Sequence, residues 1–178
     1  MRVVAGTLGG RIFDSPHGHR THPMSEKMRG AIFGALGDIT ELSVLDAFAG
    51  SGGIAIEAIS RGAARATAIE VDPGAVATIN KNLASLGIED QVKVTKAYAG
   101  AWSTRHQADL YDLIILDPPY DNIPYRDLKR MSRHLAPDGV LVLSWPGKAD
   151  WYPFDGLEIV QEKQYGDSAL YFYKHLQK

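Results

Sequence analysis

The sequence predicts an α/β fold: a mostly parallel sheet with helices on both faces. Three observations predict it. From residue 43 onward, short apolar runs alternate with segments of helical periodicity. Runs such as "SVLDAF" and "YDLIIL" are almost continuously apolar, as strands covered on both faces must be. The last two runs, "LEIVQEKQYG" and "SALYFYKH", follow one another across a turn at Gly166-Asp167, so an antiparallel edge should close the sheet.

Each element can be justified in turn. "RVVAGTLGGRIFD" reads as a hairpin, two short strands about a Gly-rich turn, and "SPHGHRTHP" as a polar loop. Ser25 can cap a helix reaching Leu36, with Met28, Ile32 and Leu36 on one face and Gly37 at its end. "SVLDAF" is the first strand of the core, and "GGIAIEAISR" a helix closed by Gly62. "ATAIEV" is the second strand. Asp72 and Pro73 then form an N-cap and first-turn pair for a helix carrying Val76, Ile79, Leu83 and Leu86, stopped by Gly87. "QVKVT" and "YDLIIL" are the third and fourth strands. Pro124 opens a helix with Leu128, Met131 and Leu135 in phase, and "APDG" turns into "VLVLSW", the fifth strand. The expected organisation is one domain over residues 1–178, with a hairpin-and-helix extension over 1–37 and a core over 43–178.

A chain of 178 residues can build a substantial core, and 45% hydrophobic with 22% charged residues is an ordinary globular balance. The absence of cysteine rules out disulfides and thiolate metal sites and fits a reducing cytoplasm, the expected location. The N-terminus lacks the apolar region of a secretory signal, and no apolar run approaches the ~20 residues of a membrane span. Net charge is -2, so a nucleic-acid role must rest on local charge. Residues 1–30 supply it: Arg2, Arg11, Arg20, Lys27 and Arg29 outnumber Asp14 and Glu26, with His17, His19 and His22 in addition. Such a cluster can track phosphates, although a solvated face would read the same.

The chemistry-bearing motifs all fall at strand carboxyl ends, where open α/β sheets bind ligands. In "VLDAFAGSGGIAIEA", Gly50, Gly52 and Gly53 follow the first core strand and open a helix, which allows a sharp turn and a close ligand approach. Gly50-x-Gly52-x-x-Ala55 also satisfies a loose dinucleotide fingerprint. Asp46, four residues earlier, would repel a pyrophosphate but can accept hydrogen bonds from a cationic amino group. Glu70 ends the second strand and can take both hydroxyls of a ribose. These residues together describe an adenosine ligand with a positive amino-acid part, which S-adenosylmethionine (SAM) fits better than NAD. After the fourth strand comes "DPPY". Asp117 and the Pro118 carbonyl can accept hydrogen bonds from an exocyclic NH2, the prolines hold both acceptors in place, and Tyr120 can stack on a base drawn out of its helix.

On these residues the chain resembles a family. "VLDAFAGSGGIAIEAISRGA" looks like motif I of the class I SAM-dependent methyltransferases, and "DPPY" resembles the signature of those that methylate exocyclic amino nitrogens. The frame around them, from "MRVVAGTLGGRIFDSP" through "MRGAIFGALG" to "YGDSALYFY", is similar to the bacterial RsmD-type small-subunit ribosomal RNA guanine-N2 methyltransferases. The resemblance spans essentially the whole chain. It implies a Rossmann-like seven-stranded sheet, SAM as donor, ribosomal RNA within the small subunit or an assembly intermediate as partner, and an N-terminal extension that grips RNA. Carried over by position, Asp46, Phe48, Gly50, Gly52, Glu70 and Asp117 are the cofactor residues; Asp117, Pro118 and Tyr120 are the catalytic group; Arg11, His22, Arg29 and Tyr120 face RNA. Two positions depart from the family. Ala97, Tyr98 and Ala99 stand where an acidic residue usually meets adenine, and His22-Pro23-Met24 stands for Arg-Pro-Thr.

The other conspicuous residues read as structural. Trp102, Trp145 and Trp151 are expected to pack, His106, His134 and His175 to lie at the surface, and no metal site is expected. The alternatives are an adenine-N6 or DNA amino-methyltransferase, a nicotinamide-dependent oxidoreductase, which leaves "DPPY" unexplained, and a non-catalytic RNA-binding assembly factor, against which the intact Asp46, Glu70 and Asp117 argue.

Overall fold

The computed structural model describes residues 1–16 and 23–177. Thirteen segments bear on the site. Helix α1 (Glu26–Leu36) is followed by β1 (Ser43–Asp46), α2 (Gly53–Ser60), β2 (Arg65–Glu70), α3 (Pro73–Leu86), β3 (Val92–Lys96), α4 (Ala99–Arg105), β4 (Tyr111–Leu116), α5 (Tyr125–Met131), a single 3-10 turn (Ser132–His134), β5 (Leu135–Pro146), β6 (Leu157–Tyr165) and β7 (Ser168–His175). The expected caps are in place. The Ser25 hydroxyl accepts from the Met28 amide at 3.2 Å, and the Asp72 carboxylate accepts from that of Ala75 at 2.8 Å.

The seven strands run in the order β3-β2-β1-β4-β5-β7-β6. The first five are mutually parallel, and β7 runs antiparallel between β5 and β6. This is the Rossmann-like arrangement of class I methyltransferases. Side chains alternate across the sheet. Val44, Ala66, Ala68, Leu113, Ile115 and Val142 pack under α1, α2 and α3, while Leu45, Ile69, Ile114, Leu116, Leu141 and Leu143 pack against α4 and α5. The strands therefore need apolar residues at every position.

Helix α2 explains the N-terminal extension. All eight of its residues are buried, because the sheet covers one side and residues 1–14 cover the other. Its outward polar groups capture main chain rather than water. The Glu57 carboxylate accepts from the amides of Val4 (2.8 Å) and Ala5 (3.0 Å), and the Ser60 hydroxyl accepts from that of Leu8 at 2.9 Å. On α3, the Asn82 side chain bonds both main-chain groups of Asp14. Val3 and Phe13 join the core under this shell. The expected hairpin is short: it has one antiparallel bridge, Arg2 with Ile12, with the Val3 amide donating to the Arg11 carbonyl (2.9 Å) and that of Phe13 to the Met1 carbonyl (3.0 Å), while the amides of Val4 and Ala5 turn away to Glu57 of α2.

Two local expectations change. A short helix, α4, intervenes between β3 and β4 where none was anticipated. And "APDG" does not precede the fifth strand: β5 starts at Leu135, paired with Tyr111, and the pairing resumes at Leu113 with Val140, so Ala136–Gly139 bulge out of the ladder.

Candidate active site

Register brings the predicted carboxylates together. Asp46, the last residue of β1, lies beside Ala68 of β2 and Ile115 of β4. Glu70 and Asp117 each come two residues later, on the two strands that flank β1. Three acids thus meet at the carboxyl end of three adjacent strands, where a sheet of this topology opens.

Their environments differ. Asp46 is fully buried, and neither carboxylate oxygen has a hydrogen-bond partner among the described residues. Burial, then the charges of Asp117 and Glu70, push its carboxyl up to about 8; the nearby amides of Ala55 and Phe48 oppose the rise. Asp117 is half-buried and is pushed up to about 6 by burial, opposed by the Ser144 hydroxyl. Glu70 is held by backbone: it accepts from the amides of Gly50 (2.7 Å), Val71 (2.7 Å) and Asp72 (2.8 Å). It therefore ties the β1–α2 loop to the end of β2. A carboxylate has about four acceptor positions, so one remains free.

The glycine loop is shaped for close approach. Gly52 has φ 76°, and a Cβ there would sit 3.1 Å from the Ile79 side chain, so a larger residue would separate the loop from α3. Gly50, at φ 53°, would point its Cβ into open space. A buried carboxylate pair of lone oxygens beside an open glycine fits a ligand with a cationic amino group, as SAM has, and Glu70 fits a ribose. Phe48 lies half-buried against the core beside this loop.

The "DPPY" loop follows β4 directly. Pro118 is buried and Pro119 exposed. The Tyr120 ring is 39% exposed, yet its hydroxyl shares a 2.6 Å hydrogen bond with Ser144 of β5. Ser144, itself buried, thus faces both Asp117 and Tyr120 and sets the loop against the sheet. Sequence reasoning missed it; a lone serine in "VLVLSWP", where an apolar residue would bury better, was the available signal.

Residues 1–174 match the family described as Conserved hypothetical protein 95. The chain belongs to that family. Among its relatives, ribosomal RNA small subunit methyltransferase D of Buchnera aphidicola subsp. Acyrthosiphon pisum is 34% identical over 66% of this chain and 62% of its own length. The protein of the same name from Escherichia coli K12 is 31% identical over 67% of this chain and 60% of its own. Both matches thus span about three fifths of the relatives. The solved structure of Escherichia coli yhhF superposes with a TM-score of 0.87 at 26% identity, over 98% of this chain and 97% of that one.

The residues expected to face RNA divide. Arg11 is exposed and donates to the Ser85 carbonyl at 3.1 Å, so it is free to face a phosphate with its remaining donors. His22 lies outside the described residues. Arg29, expected to face RNA, does not: it is fully buried. Its guanidinium donates to the carbonyls of Met24 (2.9 Å) and Arg2 (2.6 Å), pairs with Glu57 at 3.9 Å and lies over the Phe13 ring. Burial lowers its affinity for the proton, and Glu57 opposes that. Arg29 fastens the extension to α2. A cationic residue on a helix carries no sequence mark that distinguishes these roles.

Two further expectations are corrected. Trp102 and Trp145 pack as expected, but Trp151 is 53% exposed. His134 is buried, not on the surface, with its ring nitrogens bonded to the Asp109 carbonyl (2.7 Å) and the Ser103 hydroxyl (2.8 Å). Tyr98, two residues past β3 at the start of α4, is exposed. Among the described residues no His, Asp and Glu cluster could hold a metal ion, and no helix is long and apolar enough to cross a membrane.

Proposed function

We propose that this protein transfers a methyl group from SAM to an exocyclic amino nitrogen in ribosomal RNA, with guanine N2 of the small-subunit RNA as the target, in the small subunit or an assembly intermediate. The observation that carries the proposal is the buried, unpartnered Asp46 carboxylate set between Glu70 and the "DPPY" loop. An orphaned acid of this kind is costly unless a cation meets it. The names of the relatives support RNA as the acceptor.

When bound, SAM supplies a methyl group already activated on sulfur. Asp46 holds the amino group of its methionine part, and the remaining acceptor position of Glu70 takes the ribose. Asp117 and the Pro118 carbonyl accept the two N–H bonds of the target amino group. That draws the nitrogen lone pair out of conjugation with the ring and aims it along the line of attack. Tyr120, anchored through Ser144, lies against the base face. As the nitrogen takes the methyl, the C–S bond would break and S-adenosylhomocysteine would leave with the electron pair; the positive charge that develops on the nitrogen beside Asp117 is stabilised electrostatically and discharged by loss of one N–H proton to solvent.

The test is transfer of tritiated methyl from SAM to undermethylated small subunits and to naked small-subunit RNA. Label in RNA is expected from the wild-type protein. Binding of NAD without SAM, or absence of label on every RNA tried, would overturn the proposal.

A further inference from the structure

Four aromatic side chains are exposed among the described residues: Tyr98, Tyr120, Tyr125 and Trp151. All four lie at the carboxyl end of the parallel strands. Tyr98 follows β3, Tyr120 and Tyr125 belong to the connection after β4 and the start of α5, and Trp151 follows β5. Chance would scatter them over the surface. The fold also holds Trp151 in a defined place. The carbonyl before it, of Asp150, accepts from the Trp145 indole at 2.9 Å. The carbonyl after it, of Tyr152, accepts from the Tyr173 hydroxyl at 2.7 Å. Its neighbour Tyr152 donates to the Tyr125 carbonyl at 3.2 Å, and the Tyr125 and Tyr152 rings lie 5.7 Å apart. A tryptophan on pinned backbone, with about half its surface in water, is a platform rather than a loose side chain.

We propose that Trp151 and Tyr125 form a stacking platform for a nucleobase flanking the methylated nucleotide. The inference rests on the function proposed above and names part of its substrate site. A base drawn into the "DPPY" pocket leaves its neighbours unstacked, and flat aromatic rings beside the pocket replace the lost stacking. Of the nearby cations, Lys129 is paired with Asp155 at 2.6 Å and Lys148 lies 3.8 Å from Asp167, while Arg126, next to Tyr125 on α5, is exposed and available for a phosphate. Stacking on the rings and a phosphate contact by Arg126 differ in their salt dependence, and the contribution of Trp151 is the part that salt does not weaken.

The experiment measures binding of undermethylated small subunits and steady-state methyl transfer for wild type, Trp151→Ala, Trp151→Phe and the Trp151→Ala/Tyr125→Ala pair, at several salt concentrations. SAM affinity is measured on the same preparations. Trp151→Ala should weaken RNA binding and raise KM for RNA roughly tenfold or more. The factor should hold at every salt concentration, because no phosphate contact is lost. Trp151→Phe should recover most of the loss, and SAM affinity should stay constant. If the double variant binds and turns over as wild type while wild type methylates RNA, this inference falls and the function stands. A loss that vanishes at high salt also overturns it. If wild type methylates no RNA, the function falls and this inference with it.

Discussion

If Asp46 meets the cationic end of SAM, binding must expel a proton. In the free protein the Asp46 carboxyl is pushed up to about 8 by burial and by two neighbouring acids, so at pH 7 about nine tenths of the molecules carry it protonated. A cationic ligand requires it ionised. SAM binding at pH 7 should therefore release about 0.9 proton, and affinity should rise with pH up to about 8. Between pH 6 and pH 7.5 the increase should be about twentyfold, trimmed by roughly a third where an α-amino group of ordinary pKa, about 7.7–8.0, begins to lose its proton. The sign for stability runs the other way. A carboxyl raised in the folded state contributes stability below the ordinary carboxylate range and loses it as pH rises through its folded value, so the ligand-free protein should lose stability between about pH 4 and 8 while SAM restores it. Titration calorimetry in buffers of different ionisation enthalpy gives the proton count directly. Pair it with Asp46→Asn, which should bind SAM weakly and without a pH slope. Affinity that is flat from pH 6 to 7.5, with no proton released, would refute this reading of Asp46.

Three more outcomes are expected. Glu70→Ala should weaken SAM binding by ~1–3 kcal/mol and, because three backbone amides lose their acceptor, should also lower the melting temperature; unchanged melting would mean that the loop holds without it. Asp117→Ala should leave SAM affinity and melting nearly unchanged while turnover falls ~10²–10³, read by methyl transfer on the same preparation; an active variant would reduce Asp117 to a turn residue. Arg29→Met should destabilise the fold by ~1–3 kcal/mol, because the Met24 and Arg2 carbonyls lose a charged donor while Glu57 keeps Arg61 at 2.8 Å, seen in denaturant unfolding, whereas Arg11→Ala should spare stability and reduce the salt slope of RNA binding; the opposite pattern would return Arg29 to the RNA surface.

The fold was legible in the sequence where physics acts locally. Buried parallel strands must be apolar throughout, and Asp72-Pro73 or Ser25 marks a helix start whatever surrounds it. Helix α4 escaped because it is seven residues long with no side-chain cap, and its buried Trp102 reads equally as loop packing. The bulge at Ala136–Gly139 depends on pairing with Tyr111, a non-local fact. That Asp46, Glu70 and the "DPPY" loop come together was legible because strand-end position already fixes their neighbourhood. Arg29 and Ser144 were not, since their roles are set by residues 27 and 24 positions away. Burial of a guanidinium by a docked extension, and of a serine behind a tyrosine, arises only once the sheet has formed.

The central claim is that the Asp46, Glu70 and Asp117 cleft places the SAM methyl on a guanine amino nitrogen of small-subunit ribosomal RNA. The most direct measurement is mass spectrometry of nucleosides digested from that RNA after reaction with SAM and purified protein, wild type beside Asp117→Ala. The account predicts N2-methylguanosine formed by wild type and reduced ~10²-fold or more by the variant. A methylated adenine, a methyl group on any ring position, or equal product from the two proteins would contradict it.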